Sequence, residues 1–289
     1  MTNQKNKFVF FGTPRLAAVF LDEIARSGWS PAILVTTPDK KQGRGMELKA
    51  PPVKTWAQEK NIPVLQPEIF DENAAAALRA AAPDFFIVIY YGVILPPAIL
   101  EIPKKGALNI HFSLLPRWRG TSPVRAAIAA DDEEIGTSII LLDEKVDHGP
   151  LIAQKKVTLP EWPPRASAAE ETATRESAKL LCEMLPSYLS GDIESHPQNH
   201  DIATFCPKYE KEDGLLDLRA DGYENLLKIR AFDTTVGTYA FFERGAKRIR
   251  VQILDAHLEG ATLVIDTVKP EGKKEMPYED FLRSGAKSL

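Results

Sequence analysis

Apolar runs alternate with helically spaced apolar positions through the first half of the chain, and this rhythm restricts the fold more than any other feature. Positions 8–11 are continuously apolar. Leu16, Val19, Phe20 and Ile24 then recur on one helix face up to Gly28, and 32–35 is apolar again. Strand, helix, strand at this spacing predicts parallel strands joined by crossover helices. The expected fold class is therefore α/β, a Rossmann-like, mostly parallel sheet with helices on both faces. Further strands are predicted at 85–89, 107–111, 137–142 and 151–157, and helices at 74–82 and 166–189, the last closed by Ser190-Gly191. Beyond Phe205 the pattern changes to short alternating runs at 238–242, 249–254 and 263–268, turned at Gly245 and Gly260, with one helix at 222–231. This predicts a smaller β-rich domain. Three regions follow: a catalytic domain at 1–195, a linker at 196–204 and a second domain at 205–289.

Strand 107–111 carries the chemistry. In Ala107-Leu108-Asn109-Ile110-His111-Phe112 the apolar residues alternate with Asn109 and His111, so the two polar side chains share a face. The segment Ser113-Leu114-Leu115-Pro116-Arg117-Trp118-Arg119-Gly120 leaves the carboxyl end of that strand, the edge where open α/β sheets bind ligands. A carboxamide and an imidazole side by side can both donate to one oxygen that gains negative charge. Asp147, in Val146-Asp147-His148-Gly149-Pro150, can support the imidazole and take a proton if the fold brings it near. Taken singly, a histidine on a strand is ordinarily structural and an Asp before His-Gly-Pro is ordinary turn chemistry. The joint arrangement is what points to acyl transfer.

Other classes recede. The opening loop Phe11-Gly12-Thr13-Pro14 lacks the spaced glycines of dinucleotide binders. Cys182 and Cys206 have no metal-ligand spacing and form no disulfide framework, which fits a reducing compartment. His196 and His200 are separated by Pro197, which breaks the helix a metal pair would need. No metal is expected. The start of the chain reads as a strand rather than a signal peptide, and the longest apolar run, 85–95, is glycine-interrupted and too short to span a bilayer. No membrane association is expected, and a cytoplasmic location is. A net charge of −4 provides no overall basic footprint for nucleic acid. Local basic clusters exist at Lys40, Lys41, Arg44 and Lys49, at Arg244, Lys247, Arg248 and Arg250, and at Lys269, Lys273 and Lys274.

The string Asn109-x-His111-x-Ser113-Leu114-Leu115-Pro116-Arg117-Trp118-Arg119-Gly120, with Gly136-Thr137 and Asp147-x-Gly149 downstream, resembles the folate-dependent formyltransferases. Phe10-Phe11-Gly12-Thr13-Pro14, Thr37-Pro38-Asp39, Gly43-Arg44-Gly45, Pro52-Val53-Lys54, Gln66-Pro67, Tyr91-Gly92-Val93-Ile94-Leu95-Pro96 and the late Pro270-Glu271-Gly272 segment narrow the resemblance to the methionyl-tRNA formyltransferases. That resemblance implies an OB-like C-terminal domain that helps hold tRNA. It implies formyl transfer from 10-formyltetrahydrofolate to the α-amine of initiator methionyl-tRNA, by a monomer. Asn109 and a protonated His111 would stabilise the oxyanion, with Asp147 supporting the imidazole; a carboxylate neighbour favours the charged ring. Tyr91, Gly92, Val93, Ile94, Leu95, Ser113, Leu114, Leu115 and Pro116 would line the folate pocket. Arg44 would grip the acceptor end of the tRNA, with Lys40, Lys41 and Arg248 as further contacts. The chain departs from the family pattern at 255–261, where the stretch between strands is short and the barrel correspondingly reduced, and at Tyr90, a bulky residue before Tyr91-Gly92. Two alternatives stay open: an N-formyltransferase acting on a nucleotide-linked amino sugar, and a noncatalytic folate- or RNA-binding relative.

Overall fold

The structure is a computed structural model that describes residues 6–42, 46–245 and 247–288. In chain order it begins with β1 (Phe8–Phe11), α1 (Arg15–Arg26), β2 (Ile33–Val35), β3 (Lys40–Gln42), β4 (Glu47–Lys49), α2 (Pro52–Glu59) and β5 (Val64–Leu65). It continues through α3 (Glu72–Ala80), β6 (Phe85–Val88), α4 (Pro97–Leu100), β7 (Ala107–His111), α5 (Pro123–Ala129), β8 (Gly136–Leu141) and β9 (Leu151–Lys156). The remainder is α6 (Ala166–Ser190), α7 (Gly222–Ala231), β10 (Thr238–Arg244), β11 (Lys247–Glu259), β12 (Thr262–Pro270), β13 (Met276–Pro277), α8 (Tyr278–Arg283) and β14 (Ala286–Ser288).

Seven strands form the first sheet in the order β5-β2-β1-β6-β7-β8-β9. The first five pair in parallel, and β8 and β9 run antiparallel at one edge. The centre is held by apolar side chains on both faces of β1 and β6: all four residues of β1, and Phe85, Phe86 and Ile87, are fully buried. Phe8 stacks on Phe85, its register partner, with ring centroids 5.3 Å apart. Each such ring contributes about 2 to 3 kcal/mol by burial. α1 buries Ala17, Phe20, Leu21 and Ile24. α3 starts where Asp71 caps the Ala74 amide.

Two compact units emerge from the pattern of contacts, and they interleave along the chain. The first comprises Met1–Thr121, Gly136–Val157 and Glu171–Phe205; the second comprises Ser122–Ile135, Thr158–Glu170 and Cys206–Leu289. This differs from a single cut around 196–204. That stretch is fastened into the first unit by a bridge between His196 and Leu151 and by Gln198, which is buried. Its Pro, Asn and His content reads as a tether, yet it forms a short 3-10 helix at His200–Ile202 and its side chains are engaged.

The second unit carries an antiparallel sheet ordered β13-β12-β11-β10-β14, an open half-barrel. β11 and β12 form one long hairpin, so residues 255–259, outside the predicted strand, belong to β11. Phe242, Val251, Ile253, Val268 and Phe281 pack into its core with Ile229 of α7. Arg125 of α5 is buried within this unit. It binds Glu170 through Nε and Nη2 at 3.0 and 3.1 Å, the Ala231 carbonyl at 3.0 Å and Thr234 Oγ1 at 2.9 Å, with Asp233 3.8 Å away. Burial pushes the Glu170 carboxyl up, against the pull of Arg125.

Candidate active site

β7 ends at the carboxyl edge of the parallel strands, and its period of two directs Asn109 and His111 to one side. Asp147 approaches from the turn between β8 and β9. Asn109 Nδ2 lies 3.4 Å from Asp147 Oδ1, and His111 Nδ1 lies 3.5 Å from Oδ2. The three sequence-predicted catalytic side chains thus converge, with His111 and Asp147 both buried.

The partners of this group define its hydrogen-bond chemistry. His111 Nε2 is 2.9 Å from the Trp118 carbonyl, which can only accept, so Nε2 carries a proton and Nδ1 is the nitrogen that faces the carboxylate. The Gly120 amide donates to Asp147 Oδ2 at 2.7 Å. Asp147 itself is a non-glycine residue in the left-handed region, with φ of 49°. The contacts to Asn109 and His111 are long for hydrogen bonds, whereas that from Gly120 is short and firm. The Asn109 amide and the His111 imidazole edge therefore sit side by side beside an anchored carboxylate.

The loop after β7 is pinned from beneath. Ser113 Oγ donates to the Arg117 carbonyl at 2.6 Å, Ser138 Oγ donates to the Ser113 carbonyl at 2.6 Å, and Gln154 Nε2 donates to the Leu115 carbonyl at 2.8 Å. Ser113 and Leu115 are buried, and Leu114 and Pro116 are partly exposed. After β6, Tyr90 and Gly92 both take positive φ, 49° and 74°, and turn the chain back on itself. Tyr91 and Leu95, expected to line the folate pocket, lie in the hydrophobic core at 4% and 6% exposure. Tyr91 sets its ring edge-on to Phe11 at 5.5 Å, and burial pushes its hydroxyl up to about 12. Val93 and Ile94, at 44% and 78%, are the side chains that this segment offers to solvent, beside Gly92. Tyr90 stacks on Phe112 with centroids 4.6 Å apart and reaches Thr174 through its hydroxyl, so its bulk is absorbed by packing.

Of the expected tRNA contacts, Lys40 and Lys41 are exposed on the β3–β4 hairpin, and Arg44 lies outside the described residues. At the base of that hairpin Asp39 accepts from Lys54 Nζ at 2.9 Å and from Gln66 Nε2 at 2.8 Å. The Gln66 amide, and then Lys54, hold the Asp39 carboxyl below its ordinary value. A depressed carboxylate stabilises the fold at every pH above its unfolded value, and that contribution is lost as the pH falls through the folded one. Asp39→Asn is accordingly expected to lower the thermal midpoint at neutral and alkaline pH and to flatten its fall in acid; equal acid slopes would count against the brace. Arg248 is exposed on β11 with its guanidinium 3.8 Å above the Phe241 ring, and Arg250 lies 3.6 Å above Tyr239. Among the described residues no group of His, Cys, Asp and Glu is arranged to hold a metal ion, and no helix is long and apolar enough to cross a membrane.

Two participants escape a reading of the sequence: the Trp118 carbonyl, which has no side-chain signature, and Gln198, whose partners are backbone atoms.

Comparison with known proteins places the chain in a family. Residues 6–185 match the formyl transferase family. The methionyl-tRNA formyltransferase of Myxococcus xanthus is 36% identical over 299 aligned positions, covering 96% of this chain and 94% of that protein. Among solved structures, the methionyl-tRNA formyltransferase of Clostridium thermocellum has a TM-score of 0.60 at 16% identity, covering 92% of this chain and 98% of that one. The N-formyltransferase of Helicobacter canadensis, in complex with folinic acid and dTDP-3-aminofucose, has a TM-score of 0.63 at 17% identity over 88% of both chains. At such identities the two structures speak for the fold alone. The sequence match is the more discriminating, and it extends through both units: the chain belongs to the methionyl-tRNA formyltransferases of the formyl transferase family.

Proposed function

We propose that this protein transfers the formyl group of 10-formyltetrahydrofolate to the α-amine of initiator methionyl-tRNA, giving N-formylmethionyl-tRNA for translation initiation and leaving tetrahydrofolate. The observation that carries the reading is the meeting of Asn109, His111 and Asp147 at the carboxyl end of β7. The donor set fits a formyl carrier: two N–H groups for one carbonyl oxygen, a carboxylate for one proton, and the exposed apolar pair Val93 and Ile94 at the same sheet edge. Bound there, the folate supplies an electrophilic carbonyl carbon attached to nitrogen.

The chain's own residues do the rest. Asn109 Nδ2 and His111 Nδ1 donate to the formyl oxygen as the attacking amine converts its double bond into a single bond and a negative charge. Asp147 receives the proton that the amine releases. Trp118 keeps Nε2–H engaged, so the ring cannot turn its charged edge elsewhere. When the bond from the formyl carbon to the folate nitrogen breaks, that nitrogen takes up the proton held by Asp147, and the enzyme ends in its starting state with no covalent intermediate. Gly92, Val93 and Ile94, with Ser113, Leu114, Leu115 and Pro116, form the folate wall in this reading; Tyr91 and Leu95 stiffen it from the core.

The second unit and the β3–β4 hairpin hold the tRNA. Lys40→Ala with Lys41→Ala is expected to raise KM for the tRNA several-fold, leave KM for the folate unchanged and lower the slope of log affinity against log salt by about one for each phosphate that is no longer neutralised. Unaltered salt slopes would remove the hairpin from the tRNA path. The protein is read as a cytoplasmic monomer, a state that light scattering tests. Assay of formyl transfer to charged initiator tRNA and, in parallel, to nucleotide-linked amino sugars tests the substrate: turnover with the tRNA is expected, and turnover with a sugar alone would overturn the assignment.

A further inference from the structure

Asp147 adopts a backbone conformation that an L side chain rarely holds unaided. The side chain that holds it belongs to the stretch that reads as a linker. Gln198, 5% exposed, donates through Nε2 to the carbonyls of Asp147 at 2.9 Å and Gly149 at 2.8 Å, bracketing the turn on both sides of His148. Its Oε1 accepts from Arg119 Nε at 3.2 Å and Nη2 at 2.7 Å. The amide is saturated, with two donors and two acceptor sites all in use. Its orientation follows from its partners, since carbonyls only accept and a guanidinium only donates.

Arg119 is itself buried. Its Nη2 also reaches His200 Nδ1 at 2.8 Å, and its backbone amide donates to the Thr204 carbonyl at 2.8 Å. The next residue, Gly120, supplies the amide that anchors the Asp147 carboxylate. Arg119-Gly120 therefore grips Asp147 twice: at the carboxylate through the Gly120 amide, and at the main-chain carbonyl through Gln198.

We propose that Gln198 is a positioning residue for Asp147, and that Arg119 locks its amide in the one orientation that serves. This rests on the reading of Asp147 as the proton acceptor. Gln198 touches none of the reacting atoms, so its loss displaces the carboxylate and leaves both substrate surfaces intact. A displacement of about 1 Å at a reacting group can cost on the order of 100-fold in rate.

The test uses the full-length protein with Gln198→Leu and Gln198→Glu. The glutamate variant keeps an acceptor for Arg119 and has no N–H for the two carbonyls. Both are expected to lower kcat roughly 10- to 100-fold with KM for folate and for tRNA unchanged. Neither should cost anything further when placed on Asp147→Asn, because effects that pass through one group do not add. Wild-type kcat in both variants, a rise in KM in place of a fall in kcat, or a full additional loss on Asp147→Asn would each overturn the proposal. Should Gln198→Leu fail to fold, Arg119→Gln, which releases the amide, is expected to show a smaller fall of the same kind. Hydrogen exchange at the Gly120 amide decides the positioning claim without any assay of turnover: faster exchange in the Gln198 variants supports it, and unchanged protection rejects it. Absence of formyl transfer by the wild-type protein would instead reject the functional reading.

Discussion

Asp147→Asn is expected to lower kcat for formyl transfer by roughly 1000-fold, with the protein folded and the folate still bound. The asparagine side chain is isosteric and can keep an oxygen toward the Gly120 amide, now at 2.7 Å. Its amide hydrogens then face Asn109 Nδ2, which approaches the other oxygen at 3.4 Å, and two donors oppose one another. More importantly, the group that takes the amine's proton is gone; proton transfer by a placed side chain is typically worth 100- to 10,000-fold, roughly. Asn109→Ala and His111→Ala each remove one oxygen donor and are expected to cost about 100-fold or more. The losses are expected to be less than additive in combination, as in any group that acts together. A single-turnover assay under saturating donor measures these values, and near-normal turnover by Asp147→Asn would end the proton-transfer role.

Gly149→Ala is expected to produce the largest structural effect. A Cβ at this position would lie well inside the radius of the Leu141 carbonyl oxygen, which is backbone and cannot swing aside. The Pro150 carbonyl also accepts the Leu141 amide at 3.0 Å, so the two chain segments are tied together where the methyl would have to fit. The turn must then open, and with it goes the Gly149 carbonyl that Gln198 holds at 2.8 Å. Forced overpacking against backbone costs about 3 kcal/mol or more. The variant should show a clearly lower urea midpoint together with reduced kcat, and a wild-type midpoint would show that the turn relaxes freely.

Much of this site is legible in the order of residues. A period of two alone puts Asn109 and His111 on one face, because β7 is flanked by apolar positions that cannot face out. The central strands β1 and β6 announce themselves as uninterrupted apolar runs, as strands buried on both faces do. The β3–β4 hairpin is invisible in the sequence because Lys40, Lys41, Glu47 and Lys49 have no buried face to impose a pattern. The burial of Tyr91 and Leu95 in the core is not readable from residue type, because it follows a turn with positive φ at Tyr90 and Gly92, and such dihedrals leave little trace in the sequence. Gln198 is unreadable for a related reason, since its ligands are main-chain carbonyls present at every position.

The Arg125 cluster bears on how such enzymes can be rebuilt. Its guanidinium, its carboxylate partner Glu170 and its carbonyl and hydroxyl partners at Ala231 and Thr234 come from three separate stretches of the chain. The C-terminal sheet is therefore not a cassette. A chimera joined at residue 205 would keep the Arg125–Glu170 pair but part it from the Ala231 carbonyl, Thr234 and Asp233, whereas a graft carrying 122–135 and 158–170 along with the tail would move the whole cluster together.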